Sequence, residues 1–209
     1  LETNHAKCEL YGEKDGTWSI VDKSTKIVGL TGYTAYKVQF AECVHQCDND
    51  TVEKPVCSKC GKVLVVKITA TASDGKTRTA WFPADSGIEN GDGYVEAIQT
   101  LNGWSNEGCT EPTLTLLRDM YAFGTSMPLT GTLTLEGGTH TAKNVTVAEG
   151  ADVTFASGSY RGATINGTAT VKAGVTFTDS TVTVNGTLNV EGGTFNGPVE
   201  FNGSSIANI

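Results

Sequence analysis

A glycine returns at Gly131, Gly150, Gly167, Gly186 and Gly203, at intervals of 19, 17, 19 and 17 residues. A period of this length and regularity marks a chain wound into stacked coils, each turn burying its apolar side chains against the next. Around the glycine the text repeats as well. It reads Thr130-Gly131-Thr132-Leu133-Thr134-Leu135, then Asn166-Gly167-Thr168-Ala169-Thr170-Val171, then Asn185-Gly186-Thr187-Leu188-Asn189-Val190. Glu149-Gly150-Ala151 is a weaker copy, and Asn202-Gly203-Ser204 starts another. Glycine supplies the positive φ a tight turn needs, and asparagine tolerates the same region.

Aligned on the glycines, apolar residues fall into columns. One holds Leu133/Leu135, Val153/Phe155, Ala169/Val171 and Leu188/Val190; a second holds Val145/Val147, Ala163/Ile165, Val182/Val184 and Val199/Phe201. A third collects rings at His140, Tyr160, Phe177 and Phe195. Alternation by two is the strand period, and stacked rungs lie about 4.8 Å apart. The expectation is a parallel β-helix of about four rungs, right-handed because strict hexapeptide periodicity is missing. Its last repeat glycine lies close to Ile209, so the rod is expected to be truncated there. A β-sandwich with evenly spaced hairpins is the competing arrangement.

Composition divides the chain. All six cysteines and all three tryptophans lie within residues 1–109. Strand signals occur at Thr17–Asp22, Tyr33–Ala41, Lys62–Ala72 and Lys76–Phe82, the last two joined by the turn residues Ser73-Asp74-Gly75. Pro83–Gly93 reads as a linker. The expected organisation is all-β: a small β domain over 1–85, a linker over 86–93, and the β-helix over 94–209. Tyr94, Ala97, Ile98 and Leu101 have helical spacing, and Thr113–Asp119 reads as a strand. A short helix over Tyr94–Leu101 would cap the open edge of the coil.

The cysteines carry the chemistry. Cys57-Ser58-Lys59-Cys60-Gly61 has the form of a zinc knuckle, with two thiolates on one turn and a glycine that lets backbone N–H groups face the sulfurs. Upstream, Cys43-Val44-His45-Gln46-Cys47 offers the second ligand pair. The set Cys43, Cys47, Cys57 and Cys60 would leave Cys8 and Cys109 to form a disulfide. The set Cys43, His45, Cys57 and Cys60 is the alternative. Three disulfides compete with both, since an exported protein meets oxidising conditions. Either metal set is fully occupied by protein, so the zinc is expected to be structural.

Catalytic patterns are lacking. The three histidines, His5, His45 and His140, sit in no nucleophile motif, and no phosphate-binding glycine loop occurs. The acids Glu136, Glu149, Asp152, Asp179, Glu191 and Glu200 do not recur in one column. Asn-x-Ser/Thr at Asn49, Asn144, Asn166, Asn185 and Asn202 reads mostly as turn chemistry. A formal charge of −8 without a Lys/Arg cluster argues against nucleic acid and anionic membrane, and no apolar run is long enough to span a bilayer. Tyr33 and Tyr36, on a glycine-flanked loop and the strand after it, are candidate interface anchors.

The order of segments, Tyr94-Val95-Glu96-Ala97-Ile98, then Thr113–Asp119, then the glycine repeats, resembles that of β-helix-containing cell-surface proteins of Gram-positive, often gut-dwelling, bacteria. The pattern Cys43-x-His45 with Cys57-x-x-Cys60-Gly61 resembles the zinc ribbons of the same class. The resemblance implies a monomeric, non-enzymatic, extracellular binding module engaging a host protein, such as an immunoglobulin or matrix component, or a glycan. Alternatives are a fragment of a carbohydrate-active β-helix protein and a passive surface spacer.

Overall fold

The computed structural model of this 209-residue chain describes residues 7–20, 34–41, 43–84, 92–120 and 127–209. The chain divides into two compact units: Leu1–His45 with Ser58–Gly61, and Gln46–Cys57 with Lys62–Ile209.

The first unit holds a three-stranded antiparallel sheet of β1 (Lys7–Lys14), β2 (Thr17–Ile20) and β3 (Ala35–Ala41), in the order β2-β1-β3. Asp15 and Gly16, at φ 51° and 76°, make the two-residue turn between β1 and β2. Such a turn needs positive φ at both positions, and Asp-Gly meets that need. Strand β1 lies outside the strands expected from sequence.

The second unit opens with the hairpin β4 (Leu64–Thr71) and β5 (Thr77–Pro83). Its turn is closed by Asp74 Oδ1, which accepts the Lys76 N–H at 3.0 Å. Helix α1 (Asp92–Asn106) follows and packs on β4, β5 and the next strand, β6 (Thr110–Leu116). Tyr94, Ala97, Ile98 and Leu101 form its buried stripe. Strand β6 pairs antiparallel with β4 and parallel with β8 (Thr132–Val147). The β4–β5 hairpin therefore extends the sheet of the coil, and the division of the chain falls at the knuckle near residue 61 instead of at 86–93. Residues 86–91 lie outside the described residues, and 92–93 already belong to α1.

From β6 onward the chain is a β-solenoid of about five turns. The bent strands β8 and β9 (Asp152–Ile165) each contribute to three faces. Later turns use separate short strands: β10 (Thr168–Val171), β11 (Val175–Phe177) and β12 (Val182–Val184), then β13 (Thr187–Val190), β14 (Thr194–Phe195) and β15 (Val199–Phe201). Strand β16 (Ile206–Asn208) stacks on β13. The turn beyond the expected four is the first. Strand β6 and β7 (Met127–Leu129) stack beneath β8 without the glycine repeat that marks later turns.

The two aliphatic columns stand in register. Leu133, Val153, Ala169 and Leu188 pair in succession, as do Val145, Ala163, Val182 and Val199. Tyr160, Phe177 and Phe195 also align. His140 does not join them. A register shift between Glu136 and Thr141 places Ala142 opposite Tyr160, and His140 is left half-buried outside the column. The rings of Phe155 and Tyr160 meet edge-on with centroids 5.0 Å apart, while Phe177 and Phe195 stack at 5.0 Å. Each buried ring contributes about 1.5–3 kcal/mol by leaving water. Tyr160 donates its hydroxyl to Ser157 O at 2.7 Å, and burial pushes its pKa above the usual phenol range.

Two repeat glycines serve a purpose other than the expected turn. Gly131, Gly150 and Gly203 do have positive φ. Gly167 and Gly186 do not; there the neighbouring rung's backbone approaches so closely that a Cβ would meet Ala148 O at 2.4 Å or Gly167 O at 2.1 Å.

Candidate metal centre

The knuckle is built as the head of a small hairpin that runs into β4. Val56 and Val63 form an antiparallel bridge, Leu64 N donates to Pro55 O at 2.8 Å, and Cys57 N donates to Lys62 O at 2.8 Å. Gly61, at φ 74°, closes the turn. The other ligands come from the segment that leaves β3. Exposure alternates along Cys43–Cys47, with residues 43, 45 and 47 half-buried and residues 44 and 46 exposed. That is the period of extended chain.

The ligand atoms of Cys43, His45, Cys57 and Cys60 all lie within 4.8 Å of one another. His45 Nδ1 is 3.5 Å from Cys60 Sγ. Cys57 is buried and the other three are half-buried. Three soft sulfurs and one imidazole at these separations can hold a metal ion.

The Cys43/His45/Cys57/Cys60 set is therefore the one brought together, and Cys47 of the four-thiolate set lies outside it. The reason is reach: four residues of extended chain span about 13 Å, so Cys43 and Cys47 cannot both meet the knuckle, whereas Cys43 and His45 can. No disulfide is present among the described residues. Cys109, expected to pair with Cys8, is a buried free thiol; the Cys8 side chain lies outside the described residues. Of the proposed anchors, Tyr33 lies outside the described residues. Tyr36 sits on β3 opposite Gly12, and its side chain is likewise outside them.

Several solenoid acids are bound to their neighbours. Glu191 pairs with Lys172, Asp179 lies 3.9 Å from Arg161, and Glu136 accepts the Thr115 hydroxyl at 3.1 Å.

Sequence reasoning missed the asparagine ladders. Asn185 Nδ2 donates to Asn166 Oδ1 at 2.7 Å, and Asn202 Nδ2 donates to Asn185 Oδ1 at 3.0 Å. A second ladder links Asn208, Asn189 and Thr170. The recurrence of asparagine before the repeat glycine was the available signal.

The chain matches no protein-family model, and no curated protein and no solved structure matches it at a significant level. No helix among the described residues is long and apolar enough to cross a membrane.

Proposed function

We propose that this chain is a non-catalytic binding module carried on the outer surface of a Gram-positive bacterium. In this reading it holds one structural zinc ion and engages a host protein such as an immunoglobulin or a matrix component.

The observation that carries the zinc assignment is the His45 Nδ1 to Cys60 Sγ separation of 3.5 Å. Bonds of about 2.3 Å to sulfur and about 2.0–2.1 Å to nitrogen, held at the tetrahedral angle, put the two ligand atoms about 3.6 Å apart. Three thiolates and one neutral imidazole fill the tetrahedron, so no position is left for a reactive water. Zinc here would supply folding energy by cross-linking the Cys43–His45 segment to the knuckle.

The binding role rests on the scaffold. Threonines line the solenoid strands between buried positions and present hydroxyl groups outward. Glu136, Asp179 and Glu191 are engaged by neighbouring side chains. These features support display and recognition over bond cleavage.

Two measurements test the reading. Elemental analysis of the purified chain is expected to give one zinc per chain, falling below one tenth in Cys57→Ser. A content well under one in the parent overturns the zinc assignment. The binding role is tested against immunoglobulins, matrix proteins and a glycan array. Saturable binding to a host protein supports it, and turnover of a polysaccharide by the chain overturns it.

A further inference from the structure

The segment before the knuckle carries one more thiol than the metal centre uses. Its ligand types are symmetric about His45: Cys43 stands two residues before it and Cys47 two residues after it. All three are half-buried, and Val44 and Gln46 between them are exposed. In extended chain, side chains two apart share one side and stand about 6.6 Å apart along it. The step from Cys43 to His45 and the step from His45 to Cys47 are therefore equivalent. The first pair closes on Cys57 and Cys60, with the four ligand atoms within 4.8 Å of one another. The second pair offers the same spacing, the same side and the same donors, one sulfur and one imidazole.

Cys47 is free to make that approach. It is an unpaired thiol, and it has no hydrogen-bond partner among the described residues. Residues 43–47 belong to no strand or helix, so no ladder of backbone hydrogen bonds fixes the register of this stretch. Ties downstream begin beyond Cys47. Asn49 Oδ1 receives the N–H and hydroxyl of Thr51 at 3.1 and 2.7 Å, and Asp50 pairs with Lys67 at 2.7 Å.

We propose that Cys47 is an alternative ligand of this centre, replacing Cys43 while His45, Cys57 and Cys60 stay bound. The proposal rests on the zinc reading above. The exchange balances without an oxidant or any outside reagent. Cys47 gives up its thiol proton as its sulfur binds, and the released Cys43 thiolate takes one up. Three thiolates and one imidazole surround the metal before and after, so the charge of the filled site does not change. Reach forbids both cysteines at once, so one of the two is always left as a thiol beside a filled site. Blocking either one alone leaves the other to complete the tetrahedron.

Zinc content and cobalt(II) absorption of the full chain test the exchange in the parent, Cys43→Ser, Cys47→Ser and the double variant. The parent and both single variants are expected to hold about one zinc per chain, and the double variant less than about one tenth. Cobalt in the parent and in each single variant is expected to show the charge-transfer intensity of three thiolates. Zinc in Cys43→Ser as low as in Cys57→Ser, beside a zinc-loaded parent, overturns the exchange and leaves the zinc reading standing. Full zinc in the double variant overturns it as well, and so does a four-thiolate intensity in the parent. A parent without zinc overturns the zinc reading and the exchange together. Iodoacetamide labelling of the zinc-loaded parent reads the same equilibrium without any substitution. Chains that keep their zinc are expected to carry label at Cys47 or at Cys43, never at both. Label confined to Cys47, or present at both cysteines of a zinc-bearing chain, overturns the exchange.

Discussion

Asn185 receives a hydrogen bond from the rung above and gives one to the rung below. Replacing it by aspartate keeps the acceptor and removes the donor, so a carboxylate oxygen would face Asn166 Oδ1. Asn185→Asp is expected to cost about 1 kcal/mol at neutral pH and less near pH 3, where the carboxyl is protonated and donates again. Urea titrations at the two pH values check this; equal losses at both would contradict it. At Asp50 the charged carboxylate is instead the stabilising form. Its hydrogen bond from Lys67 holds its pKa below the ordinary aspartate range. A folded pKa below the unfolded one means stabilisation that is present above the unfolded value of about 3.9 and is lost as pH falls through the lower folded value. Both side chains are partly solvated, so Asp50→Asn is expected to cost about 1 kcal/mol at pH 7, with the difference from parent vanishing near pH 2. Denaturation curves across that range provide the measurement.

Among the strands, the apolar columns were legible because every inward residue repeats a position in the rung before, and burial alternates by two as the text does. Val171 lies at the centre of one column, fully buried between Phe155 and Val190. Val171→Asp is expected to cost several kcal/mol and to abolish the cooperative thermal transition of the solenoid in circular dichroism. Where β8 and β9 bend past their register shift, the sequence was less informative. A Cβ on Gly158 would lie 2.6 Å from the Gly137 Cα, and Gly158 has φ 108°. Gly158→Ala is therefore expected to destabilise by about 2 kcal/mol or more, through overpacking and backbone strain, and a urea midpoint indistinguishable from the parent's would refute it. Two glycines 21 residues apart do not announce such a contact in a one-dimensional pattern. The pairing of β4 with β6 was hidden for the same reason. The acidic, glycine-rich stretch between Pro83 and Gly93 looks like a boundary, while the hydrogen bonds that join the two strands leave no local trace. The His45-for-Cys47 exchange was open in sequence because both sets have knuckle spacing; the reach of extended chain decides between them.

Across the molecule, stability is expected to be uneven. In a solenoid each rung contacts mainly its neighbours, and the candidate metal ligands are confined to residues 43–60. Removing the metal is expected to raise amide hydrogen exchange in residues 43–61 while leaving strands β9, β10 and β12 protected. Exchange followed by mass spectrometry before and after chelation measures it, and loss of protection throughout β9–β12 would contradict this division.

The ladders also bear on how such a chain can change over generations. Along Asn166, Asn185 and Asn202 each amide hydrogen points one way and each oxygen the other, so a rung of this stretch offers its successor the same surface it received from its predecessor. A genetic duplication that copies one whole period restores both contacts at the seam without any further substitution. Rung length itself differs by two residues between neighbouring turns while the ladder and the apolar columns stay in register, so the turns take up the difference. Length in this architecture is thus free to vary by whole rungs, and within a rung only at the turns.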